Sequence, residues 1–193
     1  MSTRTLRRLL LAAVSVALLT SAGLASATLL PTFSLAELDR AAHMIVRGEV
    51  VDQETVWDPL RRELYTHSFV RVDEVLAGGG TPGDWIVVRQ IGGVLDGIAR
   101  GVVGTAELRV GDELILFTRT DGALHYLVGM AQGAYHIASA VGRGPPIATS
   151  LLTRTTPLAL LAPPGPTRAP APDTLTLGAL HTELARLHAE SSR

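Results

Sequence analysis

Six histidines suggest metal chemistry first, because neutral imidazole is a common zinc ligand. His181 and His188 lie seven residues apart on one face of a predicted helix, about 10 Å from each other at 1.5 Å per residue. That distance is too long for one ion unless another element lies between them. The other four histidines stand alone, without a His-x-His or His-Glu-x-x-His pattern: His43, His67, His125 and His136. The sequence therefore predicts no metal site and no cofactor.

Nucleophilic and acid–base chemistry have no better support. No serine lies in a Gly-x-Ser-x-Gly elbow, and the chain has no cysteine. The carboxylate pairs Asp73-Glu74 and Asp112-Glu113 are adjacent, so in extended backbone their side chains point to opposite faces. We predict no catalytic residue, and a hydrolase with a dispersed active site remains an alternative.

A glycine-rich stretch from Gly92 to Gly104 contains Asp96 and Arg100. A phosphate-binding loop would need a helix after it, whose N-terminus faces the anion. The residues that follow resemble a strand approaching a turn at Gly111-Asp112, so we expect an irregular strand crossing here.

The best candidate for a contact surface is a long strand predicted from Leu64 to Leu76. If Val70 and Val72 face inward, an aromatic, cationic and acidic row lines the other face. Trp57, in the polar turn Trp57-Asp58-Pro59, would add to it. The predicted ligand or protein contacts are Trp57, Tyr65, His67, Phe69 and Arg71, with Asp73 ending the row. Packing under a helix is the alternative for such a face.

Six strands with period-two patterns position this row, and turn signals such as Asp121-Gly122 separate them. Leu114 to Phe117 is apolar on both faces, so this strand is expected at the centre of the sheet or under the N-terminal helix. Ser34 and Glu37 have the spacing of a capping box, which predicts a short helix from Leu35 to Ala42. The period-two segments and this helix form a predicted domain over residues 28–142.

The composition changes after this domain. Eight prolines predict an extended linker over residues 143–173. An amphipathic helix is predicted over residues 174–193, with Leu177, Leu180, Leu184 and Leu187 on one face. That face is expected to dock on its own barrel or on a partner protein.

The N-terminal residues 1–27 predict an export signal. Arg4, Arg7 and Arg8 precede an apolar run, and Ala25-Ser26-Ala27 offers the small-x-small pattern for cleavage between Ala27 and Thr28. The run is too short for a membrane span. We expect a secreted or periplasmic protein, free of the membrane after cleavage; the export route stays open between the general and the twin-arginine pathways.

Charge narrows the possible partners. All 17 basic residues are arginines, and loss of the three in the leader leaves 14 against 18 acidic residues, a net charge of −4. This balance argues against a nucleic-acid partner. Without cysteine the domain has no disulfide, so packing and hydrogen bonds must stabilise it.

Six segments between Ala42 and Gly133 carry a resemblance: Ala42 to Val50, Trp57, Tyr65-Thr66, Gly92-Gly93, Gly111 to Phe117 and Gly129 to Gly133. Together they resemble a family of uncharacterised secreted bacterial proteins. The chain is also distantly similar to the OB-type barrels of netrin-like modules and tissue inhibitors of metalloproteinases. This resemblance implies an OB-like barrel and a protease-directed role. The inhibitors' N-terminal cysteine, which chelates the protease zinc, has no counterpart here.

The expected fold is mainly β: an antiparallel five- to six-stranded OB-like barrel with a short N-terminal helix and a C-terminal amphipathic helix. The expected function is an exported, non-catalytic module that binds a protein or another extracytoplasmic ligand. A protease-directed inhibitor or accessory factor, with a secreted protease as partner, is the first alternative.

Overall fold

The computed structural model describes residues 30–138, 144–154, 160–161 and 171–191. The predicted signal segment, its cleavage point and much of the predicted linker lie outside the described residues. The helices are α1 (Leu35–Ala41) and α2 (Leu177–Ser191), with short 3₁₀ helices at Met130–Gly133 and Leu151–Arg154. The strands are β1 (Leu30–Pro31), β2 (Met44–Asp58), β3 (Glu63–Gly78), β4 (Trp85–Ile91), β5 (Gly93–Leu95), β6 (Ile98–Arg100), β7 (Glu113–Asp121), β8 (Leu124–Leu127), β9 (Ala134–Ala138), β10 (Ile147–Ser150), β11 (Leu160–Leu161) and β12 (Thr174–Thr176).

Eight strands form the main sheet, in the order β12-β10-β9-β7-β2-β3-β4-β8. β7 also pairs with β8, so the strands β2, β3, β4, β8 and β7 close into a ring. Neighbours in this ring are antiparallel except β4 and β8, which are parallel. The fold is therefore mainly β, as predicted, but its main sheet has eight strands rather than five or six.

The two additional strands come from segments with a different predicted structure. β10 pairs with β9, and β12 pairs with β10. The prediction of a linker is thus wrong for Ile147–Ser150, because Pro145 and Pro146 precede this strand and do not interrupt it. The C-terminal helix begins at Leu177 and not at Thr174, and the Thr176 hydroxyl accepts the N–H of Ala179 at 3.1 Å.

Two apolar cores lie on opposite faces of β7. Leu114 and Leu116 point into the ring, where they pack with residues such as Val46, Val70 and Val88. Ile115 and Phe117 belong to the second core, beneath the two helices. All four β7 side chains are fully buried. The prediction that this strand is covered on both faces is confirmed.

Both helices cover the second core. In α1 the Ser34 and Glu37 side chains form a capping box, and Leu35 and Leu38 are buried. The predicted leucine face of α2 docks on the same core, with Leu180, Leu184 and Leu187 buried and Leu177 partly buried. Asp39 of α1 and His188 of α2 are 2.7 Å apart and join the helices. No helix in the described ranges is long and apolar enough to cross a membrane.

β2 curves around the ring with register shifts at three points. Gly48 lies where β2 approaches β3 closely, and an added Cβ there would come within 2.3 Å of the Arg71 carbonyl oxygen. The last shift, between Val50 and Asp52, changes which side chains face the ring interior. Val50 is inside before the shift, and Gln53 points inside after it to reach Ser68.

Candidate functional site

The predicted row lies on β3, and its inward neighbours are as expected. Val70 and Val72 are fully buried in the ring, which places Tyr65, His67 and Phe69 on the outer face. Exposure along this row is uneven, however. Tyr65 is buried, His67 and Phe69 are half-buried and Arg71 is exposed.

Tyr65 is covered by an ion pair that fixes the turn between β2 and β3. The Arg89 guanidinium lies 3.7 Å from the Tyr65 ring centroid and donates to Asp58 Oδ2 at 2.7 Å. Asp58 Oδ1 accepts the N–H groups of Leu60 and Arg61. The Arg61 N–H and the Arg89 guanidinium hold the pKa of Asp58 below its ordinary value. Tyr65 therefore has little surface left for a partner.

The charged groups of the row are largely paired within the protein. His67 Nδ1 lies 3.4 Å from Glu54 Oε1, and Arg71 donates to Glu49 at 2.7 Å. Arg71 is also 3.4 Å from Asp73. These pairs are solvent-exposed on at least one side, so each contributes little to stability. The charged groups of the row thus have partners within the protein, and Phe69 is its apolar centre.

Trp57 does not join this row. It is in register with Leu64, while its neighbour Val56 is in register with Tyr65. The register shift after Val50 is the physical reason, because one added residue moves every later side chain to the other face. The predicted contact residues thus divide into two places, with Trp57 alone in the second.

At this second place Trp57 borders a groove of about 420 Å³. The groove is lined by Trp57, Leu64, Leu95, Asp96, Ile98 and Arg100. The Trp57 side chain is 46% exposed and that of Ile98 is 60% exposed. The Arg100 guanidinium lies 6.0 Å from the Trp57 ring and 3.3 Å from Glu63. We call this surface the Trp57 groove.

The hairpin of β5 and β6 forms one wall of the groove and replaces the irregular crossing expected for the glycine-rich stretch. Asp96 and Gly97 form its turn, both with positive φ. An Asp-Gly pair between short apolar runs is a strong hairpin signal, and it identifies this element from the sequence. Val94 and Ile98, which the sequence analysis did not select, are the exposed apolar residues of this hairpin.

Exposed apolar side chains concentrate near this hairpin. Leu60, at the tip of the β2–β3 turn, is 94% exposed, and Val102 and Val103 follow the hairpin directly. Leu60 is followed by Arg61 and Arg62, both exposed. An apolar patch rimmed by charge is typical of a surface that meets another protein.

Histidines and carboxylates do not gather elsewhere in the described part of the chain. No group of three or more His, Asp or Glu side chains there is arranged to hold a metal ion. The histidine–carboxylate pairs sit on separate elements, at His67–Glu54, His136–Asp112 and His188–Asp39. No family model, curated protein or solved structure matches the chain.

Proposed function

We propose that this protein is an exported, non-catalytic module that binds an extracytoplasmic protein through the Trp57 groove. The observation that carries the proposal is the exposure of Trp57 and Ile98 at one groove, whereas most large apolar side chains in the described part of the domain are buried. Tryptophan in a pocket is the side chain most enriched among residues that dominate binding energy.

The ring supports a finer proposal, an OB-type barrel. If the ring strands β2, β3, β4, β7 and β8 are numbered 1 to 5 in chain order, their order around the ring is 1-2-3-5-4, and strand 4 pairs with strand 1. Strands 3 and 5 are parallel to each other. A five-stranded Greek-key barrel of this kind presents loops and strand faces to ligands. The resemblance to netrin-like modules predicts the same architecture.

Charge around the groove favours an acidic partner surface. Arg61 and Arg62 are exposed at the β2–β3 turn, and Arg100 lies at the groove itself. Among the nearby carboxylates, Glu63 pairs with Arg100 and Asp58 pairs with Arg89, while Asp96 lines the groove. A partner that presents an apolar side chain beside carboxylates fits this surface, and charge of this kind accelerates association. An exported protein meets such partners outside the cytoplasm, a secreted protease among them.

Two exposed tryptophans provide a matched test. Trp57 borders the groove, whereas Trp85 is 59% exposed at the start of β4 and does not line it. The protein recovered after export and its Trp57→Ala and Trp85→Ala variants are used to capture partners from the extracytoplasmic fraction. The captured protein is then purified, and its Kd is measured for each variant.

We expect Trp57→Ala to raise the Kd at least about 30-fold, equivalent to about 2 kcal/mol of lost contact energy. Trp85→Ala should leave the Kd within about twofold. Equal binding by the parent and Trp57→Ala would refute the proposal. Equal losses in both variants would show that the groove has no special role.

A further inference from the structure

A second cavity, of about 480 Å³, shares Arg100 with the Trp57 groove but is built from different groups. It lies where the ring interior changes from apolar to polar. Val50, Val70 and Val88 fill the apolar part, whereas Gln53 and Gln90 line the cavity. We call this cavity the amide cleft.

Both amides of the cleft are held in place by the protein. Gln53 Nε2 donates to Ser68 Oγ at 2.8 Å and to the Leu108 carbonyl at 3.1 Å. Gln90 Nε2 donates to the Ala106 carbonyl at 3.1 Å. Each amide group is therefore fixed through its nitrogen. No described residue donates to either amide oxygen, so two acceptors remain for another molecule.

A buried hydroxyl in the same cleft also lacks a partner. Thr105 Oγ1 is buried and makes no hydrogen bond among the described residues. Such a group costs free energy unless a bound molecule satisfies it. The cleft therefore has a polar group, besides the two amide oxygens, that requires a ligand or ordered water.

The remaining walls are apolar, or carry charged side chains that each have a partner on the protein. Val94 is 65% exposed and Val102 is 40% exposed at the cleft. Arg100 pairs with Glu63, Glu107 pairs with Arg109 at 2.6 Å, and Glu54 lies 3.4 Å from His67. The cleft lining contains no aromatic side chain on which a sugar ring could stack. These features favour a ligand with N–H donors, small apolar side chains and no charge.

We infer that the amide cleft binds an extended, uncharged peptide segment of the partner protein. Main-chain N–H groups of that segment donate to the oxygens of Gln53 and Gln90, and an aliphatic side chain contacts Val94 and Val102. Fixed main-chain recognition with apolar pockets beside it is a recurring mode of peptide binding. This inference rests on the proposed function, because it assigns part of the same partner to a second site.

The probe is a phage-displayed library of random heptapeptides. The library is selected for binding to the protein recovered after export. The enriched consensus peptide is synthesised with blocked ends, and its Kd is measured by calorimetry. We expect an uncharged consensus with at least one aliphatic residue. We also expect the side-chain amide NMR signals of Gln90 to shift on binding.

Two variants and one control locate the peptide. Gln90→Met removes an acceptor, and Val94→Asp places an unpaired carboxylate at the apolar wall; each should weaken binding at least about tenfold. Val94 is exposed, so Val94→Asp tests the site without disturbing the core. The control is Val110→Asp, at an equally exposed valine outside the cleft, and it should bind within about twofold of the parent.

The inference is overturned by a charged consensus, by no enrichment, or by equal binding to the parent and Val94→Asp. A shift of the Gln90 amide signals by chitotriose without a peptide response would also overturn it. Trp57→Ala should bind the peptide normally. If Trp57→Ala loses the partner but the parent binds no peptide, this inference alone is refuted. If the parent binds the peptide but Trp57→Ala binds the partner as well as the parent does, the proposed function alone is refuted.

Discussion

β7 and the hairpin of β5 and β6 use the same kinds of aliphatic residue in opposite ways. In β7 the four residues from Leu114 to Phe117 are fully buried, two in each core. In the hairpin, Val94 and Ile98 are more than half exposed. Buried apolar area stabilises the fold, whereas exposed apolar area has value only when a partner covers it. The difference separates a region that stabilises the fold from one whose apolar side chains remain exposed.

The largest expected difference comes from one truncation in each region. Phe117→Ala removes a fully buried ring from the second core, where it lies 6.2 Å from the Tyr135 ring. We expect a loss of about 3–5 kcal/mol in the free energy of unfolding. Ile98→Ala should change it by no more than about 0.5 kcal/mol. Urea denaturation measures the free energy of unfolding of both variants. Similar losses in the two variants would contradict the difference between β7 and the hairpin.

A second substitution tests whether the packing of α2 on the second core stabilises the fold, as the packing of β7 does. Leu184→Ala removes a buried side chain from the face of α2 that docks on the sheet. We expect a loss of about 2–4 kcal/mol in the free energy of unfolding. Thr182→Ala, at an exposed position of the same helix, serves as the control and should cost about 0.5 kcal/mol or less. A negligible effect of Leu184→Ala would show that α2 does not stabilise this core.

The smallest expected effect depends on pH. Burial lowers the pKa of His125 from its ordinary value of 6.5. The Thr118 hydroxyl donates to the Met44 carbonyl, so His125 Nδ1 is the donor in its 3.2 Å bond to Thr118. The unfolded chain takes up this proton first as the pH falls, so stability falls below about pH 6.5.

His125→Gln should flatten that dependence, as measured by urea midpoints at pH 7.5 and pH 5.5. Thr182→Ala, which changes no titratable group, provides the comparison and should keep the parent's dependence. If the urea midpoint of His125→Gln depends on pH as that of the parent does, another titratable group causes the pH dependence of stability.

Local patterns in the sequence predicted the buried strand β7 and the inward face of β3 well. The apolar run from Leu114 to Phe117 indicated a strand covered on both faces, and the inward positions of Val70 and Val72 followed from period-two alternation. Both signals are local and strong, because burial on a given face leaves few choices of side chain.

The exposed region around Trp57 was predicted less well, because its geometry depends on long-range features. A register shift within β2 moved Trp57 off the predicted row, and no residue type near Val50 announces it. Ile147–Ser150 joined the sheet although prolines surround it in the sequence, since its pairing with β9 is decided by tertiary structure. The Asp96-Gly97 turn, in contrast, carried a local signal that glycine richness obscured.

The parallel pairing of β4 with β8 closes the ring over only two register positions, Val87 with Leu124 and Val88 with His125. β2 and β3, in contrast, pair along nearly their whole length. Because this join is so short, we expect the ring to open there at a lower free-energy cost than between β2 and β3. Such openings would expose Val88 of the ring core while the core beneath the helices stays covered, so we expect the two cores to differ in dynamics.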